Sequence, residues 1–168
     1  MQTTEPQNSN PNVLPPSAIL ARSITKDWDV IATEIDQDER DPIDAQEIYD
    51  LLKDISDPEH PLTLSQLAVV QLTQIYVTDH PAAPSKVVVE ITPTIPHCSL
   101  ATLIGLCIKV RLERALPPRF RIDVKVRKGT HQSENQVNKQ LGDKERVAAA
   151  CENDKLLEVI SGMMSTCA

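Results

Sequence analysis

The chain predicts an α+β domain in which a small three-stranded mixed sheet is covered by one long helix and by C-terminal helices. Three observations lead there. Residues 86–92, KVVVEIT, are a β-branched run suited to a central strand. Residues 120–126, FRIDVKV, alternate strictly between apolar and polar, the pattern of a strand with one wet face. Between them Leu100, Leu103, Ile104, Cys107 and Val110 recur at helical spacing. The full order reads α-β-β-α-β-α-α, with no internal repeat. A hairpin followed by a helix and a strand makes a mixed sheet, its last strand running parallel to a hairpin strand through a right-handed crossover.

Taken in order, residues 1–42 are rich in Pro, Asn, Thr and acids and hold eight acids against three bases. Their apolar residues follow no period, so they cannot bury enough surface to offset the entropy of ordering. They read as a disordered acidic tail, with a single folded domain at 43–168. Trp28, between Asp27 and Asp29, is either a docking anchor or a passive linker residue. Asp44 is placed to cap a first helix with Glu47 as capping-box partner, and Ile48, Leu51 and Leu52 form its apolar stripe. The prolines of Asp57-Pro58-Glu59-His60-Pro61 end that helix. Leu62 to Val70 allows a helical turn, Gln71 to Val77 a strand, and Asp79 to Ser85 the hairpin turn.

The long helix spans Ser99 to Leu116. Its first half is apolar nearly all round and should be buried. Its second half carries Lys109, Arg111, Glu113 and Arg114 and should reach solvent, and Pro117-Pro118 stop it. After the third strand and the Gly129-Thr130-His131 loop, helices are expected from Ser133 to Leu141, Asp143 to Cys151 and Asn153 to Met163, with Gly142 marking a break. The alternating charges from Asn138 to Val147 suit a solvated helix face or the polar rim of an interface.

Composition narrows the function. The chain has 168 residues, a net charge of −7 and 24% charged residues. Residues 43–168 hold sixteen acids and fourteen bases, so there is no concentrated basic face for phosphates. Only Trp28, Tyr49, Tyr76 and Phe120 are aromatic, which leaves few platforms for stacking bases. Direct nucleic-acid binding is therefore not expected. No apolar run reaches 18 residues, so no membrane span is expected either. The four glycines are scattered, which excludes a phosphate-cradling loop. The polar start MQTTEPQNSNPNVLPPS lacks a signal layout, and Cys98, Cys107, Cys151 and Cys167 lack CxxC spacing. The expectation is an intracellular protein with free thiols.

The chemistry concentrates at Thr92-Pro93-Thr94-Ile95-Pro96-His97-Cys98, a stiff loop opening the long helix. A cysteine at a helix start meets unpaired N–H groups, which favour the thiolate and lower the pKa. His97 beside it can add charge or act as a base. Such a thiol serves as a nucleophile, a redox group or a single metal or cluster ligand, or it simply fills a gap in the core. His131, His60 and Glu59 lie in loops and supply the remaining residue types of a metal or hydrolytic site. Cys107 lies on the core stripe, and Cys151 and Cys167 read as structural or incidental.

At these residues the chain resembles a known family. Asp57 to Pro61, Thr92 to Leu106, Gly129-Thr130-His131 and Asn138 to Ala150 look like the motifs of the cytosolic iron–sulfur assembly component 2 family, grouped with the SufT/PaaD-like "domain of unknown function 59" proteins. The likeness covers residues 40–165, and the Glu59-His60 pair is similar to the branch serving general cytosolic and nuclear targets rather than its iron-homeostasis paralogue. The resemblance implies a non-enzymatic adaptor of the cytosolic iron–sulfur targeting complex, cytoplasmic and also nuclear. There the family bridges a WD40 propeller protein and a HEAT-repeat scaffold, and delivers [4Fe–4S] clusters to apo-proteins, DNA replication and repair enzymes among them. Cys98 aligns with the family's reactive cysteine, and Glu59, Thr94, His97 and His131 fall in its motif loops. Homodimers are also implied, in some members by domain swapping. No stably bound cofactor is implied, only a transient iron–sulfur cluster. One thiolate cannot hold a cubane that takes four cysteines, so Cys98 would share that cluster with other ligands. The alternative is a thiol-dependent enzyme with Cys98 as nucleophile and His131 or His97 as base.

Overall fold

Asp44 opens the folded chain with a complete capping box. Its carboxylate accepts from the Glu47 N–H at 2.8 Å, and the Glu47 carboxylate accepts from the Asp44 N–H at 3.2 Å. Such a cap is worth about 1 kcal/mol. In the computed structural model, which describes residues 6–19 and 41–167, it starts helix α1, Ala45–Leu52. Ile48 and Leu52 are fully buried, while Leu51 lies at the margin of the core. The expectation for Trp28 falls outside the described residues.

Strands β1 (Ile75–Thr78), β2 (Lys86–Ile91) and β3 (Arg121–Val126) form one sheet in the order β1-β2-β3. β1 runs antiparallel to β2, and β2 runs parallel to β3, so the sheet is mixed with the β-branched strand at its centre. β1 is shorter than expected because Leu72–Gln74 wind into a 3-10 turn first. The 62–70 stretch forms consecutive turns rather than a helix. Ala68 there has φ of +55°, and its carbonyl accepts from the Gln71 amide at 3.1 Å.

Side chains alternate across the sheet. Val87, Val89, Ile91, Val124 and Val126 are buried on one face. The opposite face is polar: Lys125 pairs with Glu90 at 3.3 Å, and Tyr76 is 52% exposed. Helix α2, Ala101–Ala115, connects β2 to β3 and buries Ile104, Cys107, Ile108 and Leu112. Helices α3 (Glu134–Gly142), α4 (Lys144–Cys151) and α5 (Asp154–Met164) complete the cover. Asp143 and Asn153 cap α4 and α5 through their side-chain oxygens. At Gly105, α2 and α3 approach so closely that an added Cβ would lie 2.5 Å from Leu141 Cδ1.

The charged half of α2 reaches solvent only in part. Glu113 and Arg114 are exposed, but Lys109 is only 8% exposed and its ammonium donates to the Leu141 carbonyl at 3.1 Å. The cation meets the C-terminal turn of α3, where carbonyls lack intrahelical donors. Arg111 is half-buried and donates to the Leu51 carbonyl at 3.4 Å.

Part of the stretch read as a tail also takes a defined place. Pro16–Ala18 form a 3-10 turn, and the Leu14 N–H donates to the Gln66 carbonyl at 2.7 Å.

Candidate functional site

Because β2 and β3 run parallel, the loops after them leave from the same end of the sheet. Cys98 follows β2 and His131 follows β3. In parallel sheets this C-terminal end is the usual place for a site. Two hydrogen bonds join the loops: His131 Nε2 with the Cys98 carbonyl at 2.8 Å, and the Gln132 N–H with the Pro96 carbonyl at 2.7 Å. The Ser133 N–H donates to His131 Nδ1 at 3.0 Å. That nitrogen must therefore carry no proton, so Nε2 bears it and donates to Cys98. Both ring nitrogens are engaged with backbone. His131 latches the cysteine loop, whereas the enzyme reading offered it, or His97, as a base for the thiol. Gly129, with φ of +80°, forms the turn that delivers it, and a side chain there would be strained.

Cys98 is 5% exposed. Burial pushes its thiol above the ordinary value, and the Glu59 and Asp57 carboxylates push in the same direction. The Leu100 and Ala101 N–H groups at the helix start pull it down by less. The expected helix-start effect is present, but burial outweighs it. The thiol is held neutral behind a loop in which the Cys98 N–H donates to the Ile95 carbonyl at 3.3 Å. Thr94 is half-buried in that loop and His97 is exposed.

Glu59 and His60 come to the same end from the α1–β1 connection. Asp57 organises their turn, its Oδ1 accepting from the N–H groups of Glu59 at 2.8 Å and His60 at 3.0 Å. The same oxygen lies 3.1 Å from His60 Nδ1, and His60 Nε2 bonds the Asn8 carbonyl. A carbonyl and a carboxylate can only accept, so both ring nitrogens face acceptors, an arrangement that favours the charged ring. Burial opposes that charge, but the Asn8 carbonyl and Asp57 outweigh it, and the pKa lies above the ordinary histidine value.

The structure thus brings Cys98, His131, Glu59 and the Thr94–His97 loop to one end of the sheet. Asp57, Gln132, Ser133, Gln7 and Asn8 were not anticipated as parts of it. Asp57 carried a signal, an Asx turn ahead of proline; Gln7 and Asn8 carried none. Among the described residues, no group of three or more His, Cys, Asp or Glu side chains could hold a metal ion. Cys98 is the one thiol at this end. Cys107 is fully buried under the sheet, its pKa pushed up to about 12 by burial and by neighbouring Cys167, against the pull of Arg111.

Comparison with known proteins decides the family. Residues 45–126 match the family model described as iron–sulfur cluster assembly protein. An MIP18 family protein of Schizosaccharomyces pombe is 61% identical over 176 aligned positions, covering 96% of this chain and 97% of the relative. The chain belongs to the MIP18 family. The cytosolic iron–sulfur assembly component 2B of Mus musculus is 59% identical over 136 residues, 81% of this chain and 82% of that protein. The protein of the same name in Dictyostelium discoideum is 50% identical over 126 residues, 75% of this chain and 76% of its own. The MIP18 motif residues named from the sequence all fall within the described residues. None of the described helices is long and apolar enough to cross a membrane.

Proposed function

We propose that this MIP18 family chain acts in cytosolic iron–sulfur protein assembly as a non-enzymatic adaptor that passes clusters to apo-proteins in the cytoplasm and nucleus. The observation that carries the reading is the placement of Cys98 at the convergent end of two parallel strands, latched by His131, in a chain with relatives named for cytosolic iron–sulfur assembly. A single thiolate leaves most of a [4Fe–4S] cluster's ligands to others, so Cys98 acts as a shared ligand. The remaining ligands come from a second protomer, a partner or a small thiol. In this reading the WD40 propeller and HEAT-repeat partners bring donor and client to the Cys98 end.

The geometry supports the adaptor over a thiol-dependent enzyme. Nucleophilic catalysis uses a thiol paired with a base, and here the thiol is buried and neutral, both nitrogens of His131 are engaged and His97 is exposed. The test is anaerobic reconstitution with iron and sulfide of the wild type and of Cys98→Ala, together with maturation of a cluster-dependent enzyme. The expected result is loss of maturation in Cys98→Ala with unchanged melting. Absorbance near ~400 nm, the thiolate-to-iron region, should appear only when Cys98 and a co-ligand are present. Full maturation by Cys98→Ala would overturn the proposal.

A further inference from the structure

The cleft between the Asp57–Pro61 turn and the start of α2 is occupied by the chain's own N-terminal segment. Gln7 bridges its two walls. The Gln7 backbone N–H donates to Glu59 Oε1 at 3.3 Å, and its side-chain Oε1 accepts from the Ser99 N–H at 2.9 Å. The next carbonyl, that of Asn8, accepts from His60 Nε2. Farther along, Leu14 donates to the Gln66 carbonyl at 2.7 Å. Leu14 and Ala18 border a cavity of about 260 Å³ together with Tyr49, Ala68 and Val70.

The walls present a fixed pattern. Ser99, just before the helix, offers an N–H, Glu59 offers an acceptor, and His60 Nε2 offers a donor. A segment with a backbone N–H and an acceptor side chain on one residue, followed by a backbone carbonyl on the next, matches all three. The strap's bonds to these walls are single hydrogen bonds at partly exposed positions, each of modest net worth. The cover is therefore specific in pattern and weak in hold.

We propose that Glu59, His60 and Ser99 form a peptide-binding surface beside Cys98, that residues 6–14 of this chain are its occupant, and that this strap closes the thiol until it is displaced. The proposal stands whether or not Cys98 carries a cluster. It assigns Glu59 and His60 to strap binding and gives Gln7 the role of bridge.

The experiment uses the full-length chain and iodoacetamide, with alkylation of each cysteine followed by peptide mass spectrometry. The strap-loosened variant is Gln7→Ala with Leu14→Pro, which removes the Ser99 acceptor and the Leu14 donor without changing a residue of the domain. Cys98 should alkylate about tenfold faster in that variant than in the wild type, as for roughly a tenfold shift in strap occupancy. Cys151 and Cys167 serve as internal standards and should not change. A synthetic peptide of residues 6–19 added to the variant should slow Cys98 again as its concentration rises. The idea is overturned by an unchanged Cys98 rate in a variant that melts as the wild type does. It is also overturned by a rise shared with Cys107 and Cys151, which would report general loosening, or by a peptide that gives no protection.

Discussion

The two ends of the sheet are closed by different physics. At the end where β2 and β3 begin, the Asp79 side chain is 0% exposed and, among the described residues, takes donors from Ile43, Ser85 and Arg119. It accepts from the Arg119 guanidinium at 3.0 Å, the Ser85 hydroxyl at 2.8 Å and the Ile43 N–H at 3.1 Å. The Arg119 hydrogen bond leads the causes that hold its carboxyl far below the usual range. At the other end, Cys98 is held by a neutral histidine, by loop backbone and by the N-terminal strap. One end is an ion pair with every donor converging on a single carboxylate. The other is a set of separate bonds spread over His131, loop backbone and the strap, and where the strap's Asn8 carbonyl leaves the His60 ring, Asp57 stays beside it. A region meant to stay shut and a region meant to open need this difference, because leaving a buried charge unpaired costs far more than losing a neutral bond.

The comparison breaks most visibly at Asp79. Asp79→Asn should lower the melting temperature more than any substitution at the Cys98 end. The carboxyl's folded pKa lies below its unfolded value, so its contribution is full above about pH 4 and is lost as pH falls through the folded value. The gap in melting between Asp79→Asn and the wild type should therefore narrow under acid, and a gap independent of pH would contradict the ion-pair account. His131→Ala comes next, at about 1–2 kcal/mol for two lost backbone bonds. Its signature is faster alkylation of Cys98 with melting only modestly lowered, and a slower rate would remove the latch from the argument.

His60→Gln should act more weakly and with the opposite pH sense. A histidine with raised folded pKa stabilises fully below its unfolded value, about 6.5, and loses that as pH rises through the folded value. Thermal melts should separate His60→Gln from the wild type most below about pH 6.5, and the gap should close as pH rises through the folded value. Smallest is Ala68→Gly. Relief of left-handed strain at φ of +55° competes with the extra freedom of glycine in the unfolded chain, leaving a change within about 1 kcal/mol of zero. A larger loss would mean the Ala68 methyl is packing rather than strained.

Much of the fold was legible because it rests on local rules. The Asp44–Glu47 box, the Pro117-Pro118 stop, the β-branched centre of KVVVEIT and the helical spacing from Leu100 to Val110 each name their own element. The parallel β2–β3 pairing followed from chain order. Lys109 was misjudged because a charge on a helix reads as a solvent face, and only the arrival of α3 supplies the Leu141 carbonyl that buries it. The site divides in the same way. Cys98 at a stiff helix start was visible, whereas the pull of burial on its thiol depends on the whole fold. His131 was visible as a loop histidine, but its role as a latch depends on the Ser133 N–H fixing its tautomer. The strap was invisible, since Gln7 and Asn8 sit in an aperiodic polar stretch whose partners in the domain are distant in sequence.

The crossover between β2 and β3 also sets an order in time. Cys98 leaves the ribosome ahead of α2, and His131, its latch, emerges 33 residues later. During synthesis the thiol is present before the loop that seats it, and seating waits until α2 has folded back and β3 has joined the sheet. Asp79 and Arg119 both precede His131 in the chain. The cysteine end is thus the later of the two to have all its parts, so that the assembled site certifies that the domain beneath it has been built.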